Sequence, residues 1–192
     1  MKWKKIYALY ISLALLLATL AYLLYLKLRD FRHNIRDNIE QSHQTTTDMT
    51  ISTGYDTTVR GYRNNNPLNI RLGNNHWKGE VVPSADKSFC QFQTMAYGFR
   101  AAMVCIRTYI VKYGCNTLQD IINRWAPWAD GNNPTNYAKR VMARFPDTFP
   151  SSDTIIFPTD KTQMTRLVFA MAIVENGSEP RMQDCEQAFQ IM

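Results

Sequence analysis

The sequence predicts a mainly α domain (an α+β arrangement) with a small β or loop lobe, behind an N-terminal membrane-spanning helix. Three observations carry this. Residues 6–26 read IYALYISLALLLATLAYLLYL, without a charge. Residues 41–58 are polar and rich in Thr and Ser. Beyond them, segments with helical apolar spacing are punctuated by capping and breaking residues.

An uncharged run of 21 residues is long enough to span a bilayer as a helix, and its terminal tyrosines suit the interface. A cleaved signal peptide has a shorter apolar core, about 7 to 15 residues, and a small-x-small site after it. Here YLKLRDFRHNIRD follows, which favours an uncleaved anchor. Lys2, Lys4 and Lys5 precede the run and Lys27, Arg29, Arg32 and Arg36 follow it, so flanking charge leaves the orientation open. The short tail ahead of the run favours export of the domain. Residues 1–40 are therefore read as anchor and helical extension, 41–59 as a linker that cannot build a core, and 60–192 as the folded domain.

Within that domain the opening stretch is rich in loops, and GEVVP and SFCQFQ are short candidate strands. Phe89 shares a face with Gln91, and Cys90 with Phe92, so the pattern leaves the buried face open. Thr94 caps MAYGFRAAMVCIRTYIVKY, which Gly114 ends; Phe99, Met103, Ile106 and Ile110 form its core stripe. Thr117 with Asp120 forms a capping box opening LQDIINRWA, and Pro127 stops it. Pro134 starts TNYAKRVMARF. The last clear helix is KTQMTRLVFAMAIVE, closed by Asn176-Gly177.

Charge narrows the partners. Residues 1–59 hold seven Lys/Arg against five Asp/Glu, a net of +2, and residues 60–192 hold fifteen against eleven, a net of +4. The basic residues are scattered, with no basic run carrying interleaved aromatics, so no nucleic acid is expected as a partner. Cys90, Cys105, Cys115 and Cys185 lack CxxC spacing, which argues against a zinc ribbon and leaves both disulfides and free thiols open. No metal or other cofactor is implied. GxSxG, HExxH and phosphate-loop motifs are absent from the sequence, and His33 and His43 precede the domain, leaving His76 with nothing to tie it to a cysteine.

Two segments carry candidate chemistry. In LVFAMAIVENG, Leu167, Ala170, Met171 and Val174 make an apolar stripe, with Glu175 at its edge in the last helical turn. Burial and the negative end of the helix both favour the protonated carboxyl, the form a glycosidic general acid requires. A Glu in that position is otherwise solvated or paired with an arginine. The second segment, RGYRNNNPLNIR, has more amides than a turn needs. Asn65, Asn66 and Pro67 suit the turn itself. Amides also suit sugar hydroxyls and N-acetyl groups, so Asn66, Asn69 and Arg71 are candidate substrate contacts. Trp77, Trp128 and Tyr137 could offer flat faces to sugar rings, Trp128 from the loop WAPWADGNNP; Trp125 is a further aromatic of this kind.

The stretches RGYRNNNPLNIR, NHWKGE, FCQFQTMAYGFRAAM, YIVKYGCNTLQDIINRWAPWADGNNPTNYAKRV and AIVENG, in that order over residues 60–180, resemble a family of phage and prophage-borne virion-associated structural proteins. That resemblance implies a lysozyme-like domain acting on peptidoglycan. The family pattern Asn-Pro-Gly-Asn-Ile-Arg has Leu68 where its glycine stands. A looser similarity runs to bacterial glucosaminidases and lytic transglycosylases, in which the helix ending in the catalytic Glu comes first. Here that helix comes last, so the resemblance implies a circularly permuted lysozyme-like fold with Glu175 as catalytic residue. A transglycosylase works with one carboxyl, whereas a hydrolase needs a second, for which Glu80 and Asp130 are the candidates. The expectation is a membrane-anchored enzyme, its domain extracytoplasmic or periplasmic, that cleaves peptidoglycan glycan strands. The alternative is a non-catalytic phage-derived structural or glycan-binding module.

Overall fold

The structure, a computed structural model, describes Lys27 and residues 54–192. The chain divides into two compact units, Met1–Gly54 and Tyr55–Met192. In the first, Lys27 is helical and exposed. The expected anchor at residues 6–26 and the linker up to residue 53 lie outside the described residues. Among the described residues no helix is long and apolar enough to cross a membrane.

The second unit is mainly helical, with one small antiparallel pairing. Its elements are α1 (Arg60–Arg63), β1 (Glu80–Val81), β2 (Gln91–Phe92), α2 (Met95–Tyr113), α3 (Leu118–Trp125), a 3-10 turn (Trp128–Asp130), α4 (Pro134–Arg144), α5 (Lys161–Asn176) and α6 (Met182–Gln190). Strand β1 pairs with β2 in the register Glu80 to Phe92 and Val81 to Gln91, and Arg71 bridges Phe89 beside them. Cys90 and Phe92 turn out to be the buried face of that strand, each 1% exposed.

The helix ends follow local chemistry. The Thr94 side chain accepts from Tyr97 N, and Gly114 closes α2 at φ 67°. Thr117 and Asp120 form the reciprocal capping box of α3. Asn133 caps α4 ahead of Pro134, and Asp160 caps α5, which Gly177 ends at φ 75°. Phe99, Met103 and Ile106 from α2 are fully buried, as are Leu118, Ile121 and Ile122 from α3, Val141 from α4 and Met164, Leu167 and Val168 from α5. Each such side chain contributes about 1.5 to 3 kcal/mol by leaving water.

Two features differ from the sequence expectation. Helix α6 follows α5, where the sequence predicts its last clear helix, and it packs on α2 and α5 through the buried Cys185 and Ala188. Met182, Cys185 and Phe189 give it an apolar stripe at helical spacing, but it is only nine residues long and no side chain caps it. The compact unit also begins at Tyr55, ahead of Arg60, so residues 55–59 belong to it rather than to a linker. The reason is a tie between its two ends. Tyr55 Oη donates to Asp184 Oδ2 at 2.7 Å, Arg181 N donates to Tyr55 Oη at 2.8 Å, and the Tyr55 ring lies 4.7 Å from that of Tyr62. Burial, foremost, raises the Tyr55 phenol well above its ordinary value, so it remains a donor at neutral pH.

Candidate active site

The loop after α1 consumes its asparagines one by one. Asn64 Nδ2 donates to Asp86 Oδ2 at 2.9 Å, and Asn65 Nδ2 donates to Phe92 O at 3.0 Å. Asn66 is fully buried: its Nδ2 donates to Ile70 O at 2.9 Å and Cys90 O at 2.8 Å, and its Oδ1 accepts from Ile70 N at 2.9 Å. These amides stand in for the ladder that a two-residue strand cannot supply. Asn65 and Asn69 hold left-handed backbone, at φ 50° and 51°, which Asn tolerates better than most residues. Leu68, where the resembled pattern has glycine, is not left-handed and plugs the core at 1% exposure.

Close backbone approaches seat this loop. A Cβ on Gly98 would lie 2.0 Å from Asn65 O, and one on Gly61 would lie 2.2 Å from Asn176 Oδ1. Asn176 Nδ2 donates to Pro67 O at 2.7 Å and to Ala172 O at 2.8 Å. The residue after Glu175 thus clamps the loop just ahead of Asn69.

Glu175 receives three neutral donors. Asn69 Nδ2 donates to its Oε2 at 3.3 Å, Trp125 Nε1 to its Oε1 at 3.3 Å, and Tyr137 Oη to Oε1 at 3.0 Å. The Tyr137 hydroxyl also lies 3.3 Å from Met171 O, a second acceptor for its proton. Burial, and then the Glu175 charge, hold the Tyr137 phenol well above its ordinary value, so it stays a donor. Glu175 is half-buried, and among the described residues no Lys, Arg or His pairs with it.

These partners make the two carboxyl oxygens unequal. An indole N–H only donates. Oε1, facing Trp125, therefore stays an acceptor in either protonation state. The Asn69 amide can turn its oxygen toward Oε2 and accept from it, so Oε2 is the oxygen able to carry the exchangeable proton.

The structure brings Asn69 and Tyr137 to Glu175 and adds Trp125 as a hydrogen-bond donor, but Tyr137, 8% exposed, gives its hydroxyl to the carboxyl and has no flat face free for a sugar ring. Asn66 needs correcting as a substrate contact, because its amide is buried and spent on backbone groups. Arg71 is exposed, with its guanidinium 5.5 Å from the centre of the Phe89 ring. Trp77 is half-buried against the core, and its backbone N–H donates to Glu80 Oε2 at 3.0 Å. Trp128 is 62% exposed on the 3-10 turn. None of these three side chains hydrogen-bonds to Glu175. Sequence reasoning missed the roles of Trp125 and Asn176; the signals were the INRWAP run and an asparagine beside the helix-ending glycine.

An open cavity of about 410 Å³ lies elsewhere, in the β lobe, lined by Leu72, His76, Glu80, Val82 and Lys87 among others, and none of the Glu175 partners lines it. Among the described residues no three His, Cys, Asp or Glu side chains are grouped to hold a metal ion. All four cysteines are free. Burial pushes the Cys90 thiol up to about 12 and the Cys105 thiol up to about 11, so neither supplies a thiolate nucleophile at neutral pH.

No protein-family model matches the chain. It is 38% identical over 129 residues to Protein P5 of Pseudoalteromonas phage PM2, an alignment covering 66% of this chain and 76% of the phage protein. The chain belongs to the family of that phage protein. The name Protein P5 states no reaction, so the chemistry has to be argued from the Glu175 site.

Proposed function

We propose that this protein cleaves the glycan strands of peptidoglycan, in the manner of a lytic transglycosylase, with Glu175 as acid and then base. The observation that carries the reading is the convergence of Asn69, Trp125 and Tyr137 on the Glu175 carboxyl. The Asn69 contact, at 3.3 Å, lies well inside the roughly 10 Å that a glycosidic site spans. Long contacts of this kind are common before substrate binds.

In this mechanism Glu175 Oε2 gives its proton to the bridging oxygen as the bond to the anomeric carbon breaks. The same oxygen then takes the proton of the sugar's own hydroxyl as that hydroxyl closes on the anomeric carbon. The carboxyl ends as it began and no water is consumed. Trp125 and Tyr137 hold Oε1 throughout, which fixes the plane of the carboxyl. That route needs no second carboxylate, and Glu80, one of the two candidates for one, accepts from the Trp77 backbone N–H.

The lysozyme-like, circularly permuted fold belongs to the same proposal. Its support is the Tyr55–Asp184 contact at 2.7 Å, since permutation requires adjacent ends. So does anchoring through the uncharged run at residues 6–26, with the domain outside the cytoplasmic membrane, where its substrate lies. Zymography on cell-wall material tests the reaction. Glu175→Gln should lower the rate about 100-fold or more while the circular dichroism spectrum is unchanged. The wild-type product should be lighter by one water than the hydrolysis product. Normal clearing by the folded variant removes Glu175 from the chemistry. Sacculus binding without any clearing by wild type turns the assignment to a glycan-binding module.

A further inference from the structure

Beside the Glu175 site an aromatic ring is shared with a cation. Tyr109, on α2, lies 6.4 Å from Trp125 ring to ring. The Arg124 guanidinium stands 5.0 Å from the centre of that same Tyr109 ring and 3.7 Å from that of Tyr113. Lys112 Nζ lies 5.6 Å from the Tyr113 ring and adds a second positive charge.

Arg60, Arg144, Arg166 and Arg181 each pair with a carboxylate. Arg124 is exposed and has no acidic partner among the described residues. Its guanidinium is held against two aromatic rings, contacts that use none of its N–H groups. A planar fork preset in this way can take a carboxylate with two parallel hydrogen bonds. The Tyr109 ring that Arg124 touches also lies against Trp125, which donates to Glu175, so the fork is linked to the carboxyl through two aromatic rings.

We propose that Arg124, stacked on Tyr109 and Tyr113, is a carboxylate-binding subsite for the acidic groups of a glycan strand lying across Glu175. The proposal rests on the reading of Glu175 as a glycan site, but it is measurable without cleavage. The carboxylate has two sources in such a strand: the peptide stems, or the lactyl acid group bared when stems are removed.

The test is co-sedimentation of the full chain carrying Glu175→Gln with intact sacculi, with strands stripped of their stems by an amidase, and with neutral chitin. Adding Arg124→Gln should weaken binding to acidic material about tenfold at low salt and leave chitin binding unchanged. The difference should shrink at high salt. A loss confined to intact sacculi assigns the stems, a loss confined to the stripped strands assigns the lactyl group, and a loss on both shows that the fork takes either carboxylate. Arg124→Lys should recover part of the binding, since it keeps the charge without the fork. Unchanged binding, an equal loss on all three materials, or no binding to acidic material at all overturns the proposal. So does a fall in unfolding temperature without a salt-dependent binding difference, which marks the stack as a mere staple between α2 and α3. If wild type never clears cell wall while Arg124-dependent binding persists, the cleavage reading falls and the subsite stands.

Discussion

Two asparagine-rich loops of this domain, at residues 64–69 and 131–136, share a composition and differ in what their amides do. In the first, Asn64 is 3% exposed and Asn66 fully buried, and every asparagine side chain has a partner across the fold. In the second, Asn132 and Asn133 are exposed; Asn132 reaches Pro127 O at 3.4 Å, and Asn133 accepts from Asn136 N at 2.9 Å as the cap of α4. The difference comes from what lies above each loop. β2 and α5 cover the first and exclude water, so its backbone groups must be satisfied by side chains. Water satisfies the second.

That contrast predicts a graded response to substitution. Asn66→Ala should cost most, about 3 kcal/mol or more, because it strips partners from Ile70 N, Ile70 O and Cys90 O inside the core. Urea unfolding measures it, and a loss under about 1 kcal/mol would mean that water reaches the loop. Gly61→Ala should follow at about 1 to 3 kcal/mol, since the new methyl drives Asn176 off Pro67. Activity should fall further than stability there, because the same clamp fixes Asn69 against Glu175. In the second loop, Asn133→Ala should cost only the α4 cap, about 1 kcal/mol. Asn132→Ala should stay within about 0.5 kcal/mol. If the two loops responded alike, burial would not be what separates them.

The same division explains how far the fold could be read in advance. Thr94, the Thr117–Asp120 box, Pro134 and Gly177 act within one turn of chain, and each marks the helix end it was expected to mark. Helix α6 has an apolar stripe of Met182, Cys185 and Phe189, but it is nine residues long and lacks the side-chain cap that marks α2, α3, α4 and α5. The site divides likewise. Glu175, Asn69 and Tyr137 were suspected from residue type and position, and they meet in space. The burial of Asn66 depends on backbone groups of Ile70 and Cys90, and the indole contact of Trp125 on a helix far away in the chain. Neither local spacing nor composition encodes those distances.

The bond between Tyr55 and Asp184 also sets how the domain carries load. A pull on the chain ahead of Tyr55 meets first the Asp184 carboxylate and the Arg181 N–H beside it. The strain is therefore shunted into α6, the element most distant in sequence, before it can travel through α1 to the Asn69 loop. Tension on its leading end would be shared with the back of the domain, in place of falling on α1 alone.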